Sequence, residues 1–288
     1  MALDHNDIVG FNIRAHDEIA SKYDENHIEI FSPIEQQRVR KVLHEAYQHL
    51  RNAPHERNVL LDFGAGTGNL THYLLELGLP VIAADVSPVC LDVVKTKYGN
   101  HTGLATLVLN GHDIREVEDD SIDMVATYSV LHHIPDYLKI VSEFVRVVKP
   151  GGIIYIDHEV DETYWEYNDT YMAYLKELGD GFYNAHADEI GMNQNTGMTG
   201  QVRTLLSKLR TAFFGPPPTI LSGCGDIHVF RHDHIEWDKI EGIFRNKCTI
   251  EAQSTYLVCR ETDVSAPVWT RWNSRCSDMR FMIARKNT

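Results

Sequence analysis

Three glycines at every second position follow an apolar run and open a helical segment. They are Gly64, Gly66 and Gly68 in the stretch LLDFGAGTGNLTHYLLELG. Glycine allows left-handed backbone dihedrals and lets a ligand touch the main chain, and the free amides at a helix start favour a negatively charged group. This spacing predicts a loop that binds a nucleotide-like ligand.

Two common nucleotide motifs do not fit this loop. A phosphate-binding P-loop requires Gly-Lys-Ser/Thr, whereas Gly68 is followed by Asn69 and Leu70. A dinucleotide GxGxxG motif requires a third glycine at position 69, where Asn69 stands. The loop therefore argues against a P-loop enzyme and disfavours an NAD-linked oxidoreductase.

Polar side chains also follow the later apolar runs. Asp85 ends the run VIAAD, where a carboxylate can accept hydrogen bonds from both hydroxyls of a ribose. Side chains with acid–base or ligand chemistry follow the next runs in the same way: Asp113, His132, His133, Asp157, His158 and Glu159. If these runs are strands of one sheet, the side chains belong to one site.

The elements that would position them alternate between strands and helices. Between positions 58 and 152, five apolar runs have the continuous hydrophobicity of strands buried on both faces. A helix is predicted over 136–148, where apolar residues share one face and the segment ends at KPGG. Such alternation predicts a parallel α/β sheet, whose ligands bind beyond the carboxyl ends of the strands.

Composition excludes several classes of protein. The 288 residues carry 27 Lys+Arg against 41 Asp+Glu, a net charge of −14, which repels nucleic acid. No segment approaches the ~20 apolar residues that span a bilayer, so we expect no membrane role. Five cysteines without CxxC pairs favour reduced thiols and a cytoplasmic location.

The ordered motifs resemble those of class I S-adenosylmethionine-dependent methyltransferases of the small-molecule type. DFGAGTG, the acid at Asp85, GHDI, SIDMVATYSVLHHIPD and VVKPGG carry the resemblance, between about 58 and 159. It implies an α/β, Rossmann-like seven-stranded sheet whose last strand is antiparallel. It also implies S-adenosylmethionine as the cofactor and S-adenosylhomocysteine as the product.

The resemblance implies a role for each matching position. Asp62 and the backbone of Gly64, Ala65 and Gly66 would hold the methionine part, with Ser129 at its ammonium group. Asp85 would bind the ribose, and the remaining positions would contact the adenine: Val86, Asp113 and Ile114. The segment EIASKYD is also similar to an N-terminal element in which a tyrosine, here Tyr23, reaches the carboxylate of the cofactor.

Four regions follow from this pattern. Residues 1–57 are predicted to form N-terminal helices, at 11–23 and 33–51, and residues 58–159 the cofactor-binding core. Residues 160–233, with helices expected at 166–178 and 200–213, would be a helical lid inserted after the fifth strand, over the acceptor. Residues 234–288 would supply a helix and the last two strands.

The acceptor is expected to be a small molecule methylated at oxygen. Methyl transfer is an in-line displacement, and a hydroxyl acceptor needs a base with a pKa near neutrality. We predict His132 as that base, with His158 and Asp157 as second candidates, and expect His133 to point away from the chemistry. Further acceptor contacts are expected from His133, Glu159, Trp269, Arg271 and Trp272.

Several alternatives stay open. An amine or a protein could be the acceptor, or the chain could bind the cofactor without catalysis. The tryptophans near position 270 could instead form an oligomer contact, for example in a homodimer. The segment GDIHVFRHDHIEW, which begins at Gly225, matches no metal-binding spacing, so we expect no metal there and a helix cap at Asp233.

Overall fold

The computed structural model describes residues 5–20, 23, 27–51, 58–192 and 225–288. Seven segments form one sheet: β1 (Leu60–Phe63), β2 (Val81–Asp85), β3 (Leu104–Val108), β4 (Ile122–Tyr128), β5 (Val148–Val160), β8 (Cys248–Tyr256) and β9 (Met279–Lys286). A separate ribbon pairs β6 (Val229–Phe230) with β7 (Asp233–His234).

The strand order is β3-β2-β1-β4-β5-β9-β8. β1 to β5 pair in parallel, whereas β9 is antiparallel to both of its neighbours. The predicted Rossmann-like seven-stranded sheet with an antiparallel last strand is confirmed.

Helices flank this sheet: α1 (His5–Ile19), α2 (Ile28–Phe31), α3 (Pro33–Arg51), α4 (Asn69–Glu76), α5 (Pro88–Tyr98), α6 (Tyr137–Val147), α7 (Asp169–Leu178), α8 (Asp180–Glu189), α9 (Trp237–Phe244) and α10 (Pro267–Trp272). The helices expected at 33–51, 136–148 and 166–178 appear within three residues of their predicted bounds. The helix expected at 200–213 lies outside the described residues.

Apolar side chains fill both faces of the sheet, which is why its parallel strands are hydrophobic without interruption. On one face Leu61 and Ile154 pack with Phe144 of α6 and Trp237 of α9. On the other face the neighbouring strand positions pack against side chains of α3 and α4, such as Leu43 and Leu74. With both faces covered, ligands have access at the carboxyl ends of the strands.

The described part of the insertion after β5 forms a subcluster of its own. Tyr174 and Leu175 of α7 pack with Trp272 of α10 and with Leu257. Helix α7 therefore rests on the long loop between β8 and β9, which includes α10. Within the described residues, no helix has the length and apolar character that a bilayer crossing requires.

The expected helix cap at Asp233 is wrong. Helix α9 begins at Trp237, and Glu236 occupies the N-cap position without a side-chain cap. Asp233 lies in β7 instead, and its carboxylate is 2.5 Å from Nδ1 of His228. The aspartate that we predicted at the start of the helix therefore belongs to the short ribbon that precedes the helix.

Candidate active site

A cavity of about 1070 Å³, counted together with its opening to solvent, lies beyond the carboxyl ends of β1 to β4. The sheet contributes the glycine loop, the ends of β2 and β3, and the turn after β4. The N-terminal region contributes the opposite wall: Val9, Asn12, His16, Tyr23, Ile30 and Phe31.

The glycine loop has the conformation that its sequence predicts. Gly64 and Gly66 have φ of 72° and 50°. A Cβ on Gly64 would lie 2.4 Å from a methyl group of Val130, whereas one on Gly66 would meet no atom within 4 Å. Gly66 lines the cavity, so its bare backbone leaves room for a ligand.

Asp85 is fixed at the cavity wall by the main chain. Its Oδ2 accepts a hydrogen bond from Gly66 N, and its Oδ1 accepts one from Ser87 N, each at 2.8 Å. Burial raises the pKa of this carboxyl group, although these hydrogen bonds oppose the shift. Val86 lines the cavity beside it.

Asp62 does not reach the cavity. Its side chain is 1% exposed, and its Oδ2 accepts a 2.5 Å hydrogen bond from Thr71 Oγ1. Burial raises the pKa of Asp62 to about 7. In this structure the hydrogen bond from Thr71 joins β1 to helix α4.

Of the two adjacent positions predicted to contact adenine, only one lines the cavity. Asp113 lines the cavity, and its two carboxylate oxygens accept hydrogen bonds from Nε and Nη2 of Arg115, at 2.8 and 2.7 Å. Arg115 accordingly lowers the pKa of Asp113. Ile114 is fully buried in the core, and Leu109 lines the cavity near this end instead.

Ser129 and Tyr23 both line the cavity, as their predicted roles require. Ser129 has a φ of 60°, a left-handed conformation at the point where β4 turns away. The ring of Tyr23 lies 4.2 Å from that of His27. Burial, with a contribution from Glu29, raises the pKa of Tyr23, so its hydroxyl stays protonated.

The two histidines after β4 differ in their access to the cavity, in the reverse sense to our expectation, although their ring centroids lie only 4.2 Å apart. His133 lines the cavity, whereas His132 does not. They occupy one turn of 3₁₀ helix, Leu131–His133, in which successive side chains point about 120° apart. Burial lowers the pKa of His133 well below its usual value, and a charge on His132 or His16 would lower it further.

His132 is paired with Glu159, which was expected to contact the acceptor. The His132 Nδ1 lies 2.8 Å from Glu159 Oε2, and Glu159 Oε1 accepts hydrogen bonds from the amides of Val130 and Leu131. Burial would lower the pKa of His132, but the Glu159 charge outweighs it and the pKa is raised. Glu159 is 1% exposed, so it supports the turn from behind.

Asp157 and His158, the second candidates for the base, lie in a buried network away from the cavity. β5 is irregular between Ile156 and Glu159, and His158 has a φ of 61°. This irregularity aims His158 Nδ1 at the hydroxyls of Tyr128 and Tyr256, at 3.0 and 2.9 Å. Of this group, Tyr128 lines the cavity.

The aromatic and basic side chains expected to bind the acceptor hold helix α10 in place. Trp269 Nε1 donates to the carbonyl of Leu257 at 2.8 Å. Arg271 and Trp272 both bind the carboxylate of Glu177 on α7. None of the three lines the cavity.

Sequence reasoning missed the wall contributed by the N-terminal helix. Asn12 Nδ2 donates to the carbonyl of His133 at 2.8 Å, and the ring of His16 meets that of His133 edge-on at 4.9 Å. Ser87 Oγ donates to Asp17 at 2.5 Å. Helix α1 carries polar residues on more than one face, which could have indicated a second contact surface.

Part of the chain matches a known sequence family. The family described as "Methyltransferase domain" matches residues 61–156. An uncharacterized methyltransferase of Mycobacterium tuberculosis is 32% identical over 121 residues, which cover 42% of this chain and 45% of the relative. A ubiquinone biosynthesis O-methyltransferase of Xanthomonas oryzae is 31% identical over 103 residues, which cover 34% and 41%. The matches thus span less than half of these relatives.

Solved structures share the fold. A chain from the Haloferax volcanii complex of the Trm112 methyltransferase activator with a predicted methyltransferase has a TM-score of 0.52 at 15% identity, covering 95% of this chain and 98% of that one. A predicted S-adenosylmethionine-dependent methyltransferase of Listeria monocytogenes has a TM-score of 0.50 at 15% identity, covering 84% and 98%. At this identity the likeness concerns the fold alone.

Proposed function

We propose that this chain, in which residues 61–156 match a methyltransferase domain, is a class I S-adenosylmethionine-dependent methyltransferase that transfers the methyl group of S-adenosylmethionine to a small molecule. The observation that carries the proposal is the pairing of the open glycine loop with Asp85. Gly66 and Asp85 are joined by a hydrogen bond, and both line one cavity.

The cavity suggests how the cofactor would bind. The ribose hydroxyls would donate to the outer lone pairs of Asp85, whose oxygens are already oriented by the backbone. Adenine would lie beside Val86 and Leu109, with its amino group near Asp113. The methionine part would extend past Gly64 towards Ser129.

Methyl transfer requires little of the protein beyond alignment of the donor with the acceptor. The sulfonium already activates the methyl group, so the main contribution of the enzyme is to hold donor and acceptor in line. Both the sulfonium and the ammonium of the cofactor are cationic, and a chain with a net charge of −14 favours them.

The acceptor would lie against the turn after β4, and we propose that it is methylated at oxygen. A hydroxyl must lose its proton as the carbon–oxygen bond forms, and His133, the histidine that lines the cavity, would take it. A ubiquinone biosynthesis O-methyltransferase among the relatives supports oxygen as the accepting atom. The wall formed by α1 narrows the cavity and favours a small molecule over a protein chain.

Calorimetry with S-adenosylmethionine, S-adenosylhomocysteine and NAD tests the cofactor. We expect both adenosyl ligands to bind and NAD not to bind. Asp85→Asn should weaken binding by about 2–3 kcal/mol, because it removes charge-assisted hydrogen bonds to the ribose. Asp92→Asn, at an exposed position of α5, is the matched control and should bind normally.

Binding of NAD in place of either adenosyl ligand would reject the proposal. An unchanged dissociation constant in Asp85→Asn would remove this carboxylate from the site. With the cofactor bound, a library of hydroxylated small molecules followed by mass spectrometry would identify the acceptor by a gain of one methyl group.

A further inference from the structure

Three potential metal ligands from two distant segments meet at the edge of the cavity. They are His132 and His133, in the turn after β4, and Asp226, which precedes β6. Asp226 Oδ1 lies 3.2 Å from His133 Nδ1 and 3.8 Å from His132 Nε2. One ligand atom from each residue lies within 4.8 Å of the others.

The main chain holds the two segments together. The amides of Ile227 and His228 both donate to the carbonyl of His132, at 3.0 and 3.1 Å. These bonds fix the backbone on either side of the cluster, so the approach of Asp226 to the two imidazoles does not depend on side-chain contacts alone. A site built on such a frame loses little entropy when it binds a ligand.

The distances fit a small divalent ion. Zinc binds imidazole nitrogen and carboxylate oxygen at about 2.0–2.2 Å, so tetrahedral ligand atoms lie about 3.3 Å apart. The two separations from Asp226 bracket this value, and all three ligand atoms lie within 4.8 Å of one another, so rotation of the side chains would bring them to bonding distance of one ion. Two imidazoles and one carboxylate suit zinc and its first-row neighbours, whereas magnesium and calcium prefer oxygen ligands.

Two further features point to a ligand. Glu159 Oε2 binds His132 Nδ1 at 2.8 Å, which directs the other ring nitrogen, Nε2, towards Asp226. A carboxylate behind a histidine is the usual support of a metal-bound imidazole. On the other ring, His133 Nδ1 is buried and faces Asp226 Oδ1 at 3.2 Å, so both imidazoles direct a ring nitrogen at the same carboxylate.

We propose that His132, His133 and Asp226 bind one divalent first-row transition-metal ion, with Glu159 as a positioning residue behind His132. Three protein ligands leave at least one coordination position for another molecule. Because His133 lines the cavity, that position would face the acceptor.

The role of the ion in catalysis rests on the proposed function. An acceptor hydroxyl bound to the ion would have a lowered pKa and would release its proton to solvent. The resulting oxygen would attack the methyl carbon, the carbon–sulfur bond would break, and S-adenosylhomocysteine would leave. With the ion bound, His133 is a ligand and the ion replaces it as the group that activates the acceptor.

Metal binding can be tested without any methyl acceptor. The full chain, treated with a chelator and dialysed, is titrated with Zn²⁺ by calorimetry and with Co²⁺ by visible absorption. We expect one strong site and Co²⁺ bands of a nitrogen–oxygen ligand set, with no comparable response to Mg²⁺. Asp226→Asn and His133→Ala should each weaken Zn²⁺ binding by at least about tenfold. Loss of a residue that only supports a metal ligand already lowers metal affinity about 10- to 100-fold.

His232→Ala is the matched control, because this exposed histidine lies six residues from Asp226 and outside the cluster. Its Zn²⁺ affinity should equal that of the unaltered chain. The proposal is overturned if the unaltered chain shows no strong site, or if that site survives Asp226→Asn and His133→Ala. Circular dichroism of each variant identifies any loss of fold, and Asp226, a quarter exposed, is the safer of the two positions.

Titration of the same samples with S-adenosylhomocysteine separates this inference from the proposed function. Binding of the adenosyl ligand without a strong metal site would overturn the inference and leave the methyltransferase proposal intact. Metal binding without adenosyl-ligand binding would overturn the methyltransferase proposal and leave the metal site standing.

Discussion

At the scale of single residues, Asp62 links the glycine loop to the pH dependence of stability. Burial raises its pKa from 3.8 to about 7 in the folded chain. Between these values the folded state holds a proton that the unfolded state has lost. The free energy of unfolding therefore falls as the pH rises from about 4 to 7, and this loss is complete above pH 7.

Asp62→Asn should remove this pH dependence, because an amide has no charge to bury. We expect the variant to gain stability relative to the unaltered chain as the pH rises from 4 to 8, by on the order of 2–4 kcal/mol. Urea denaturation at the two pH values measures the difference. Asp92→Asn, at an exposed position, should show no such trend, and a pH-independent effect of Asp62→Asn would contradict the assignment.

The two histidines show where residue-level prediction ends. The sequence places His132 and His133 correctly in the loop after the fourth strand, since strand patterns locate that loop. Which ring faces the cavity depends on the 3₁₀ turn and on Glu159, 26 residues or more away in the chain. Asp226 is still more remote, 93 residues beyond His133, and its spacing from the pair carries no local signal.

At the scale of elements, helix α1 forms part of the wall that covers the cavity. Asn12 binds the carbonyl of His133, and Val9 packs so closely on Gly111 that a Cβ there would lie 2.5 Å from its methyl group. We expect amide hydrogen exchange in α1 to slow when S-adenosylhomocysteine binds, because its residues line the cavity.

Hydrogen exchange by mass spectrometry tests this role of α1. Helix α7 is the internal control, since none of its residues lines the cavity, and its exchange should not change. Asn12→Ala should weaken S-adenosylhomocysteine binding several-fold, by the ~1 kcal/mol that a lost hydrogen bond costs. Equal exchange of α1 with and without ligand would show that the helix is a fixed wall.

Strands were more predictable than the elements around them. Buried parallel strands have continuous apolar runs, so five of them could be located from residue type alone. The position of α1 over the cavity could not be located in this way, because the sequence of α1 has no pattern that specifies which surface it contacts. The lid predicted over 160–233 stays a prediction: its described helices, α7 and α8, lie against α10, and positions 193–224 lie outside the described residues.

At the scale of the whole molecule, one largely buried arginine, 18% exposed, joins the N-terminal helices to the sheet. Arg38 of α3 binds Glu35 at 2.5 Å and Asp157 of β5 at 2.9 Å, and its guanidinium lies 3.7 Å over the ring of Tyr256 on β8. Burial alone would raise the pKa of Glu35, but hydrogen bonds from His158 and Arg38 lower it to about 2. Glu35 is therefore charged inside the protein.

Arg38→Met should destabilise the fold by about 3–5 kcal/mol, because it leaves two buried carboxylates without their cation. Arg40→Met is the matched control on the same helix. Its ion pair with Glu76 is largely exposed, and its loss should cost at most about 1 kcal/mol. Urea denaturation at pH 7 measures both variants. Equal, small losses would mean that water reaches Asp157 once Arg38 is removed, and that the junction between α3 and the sheet is held by its apolar contacts alone.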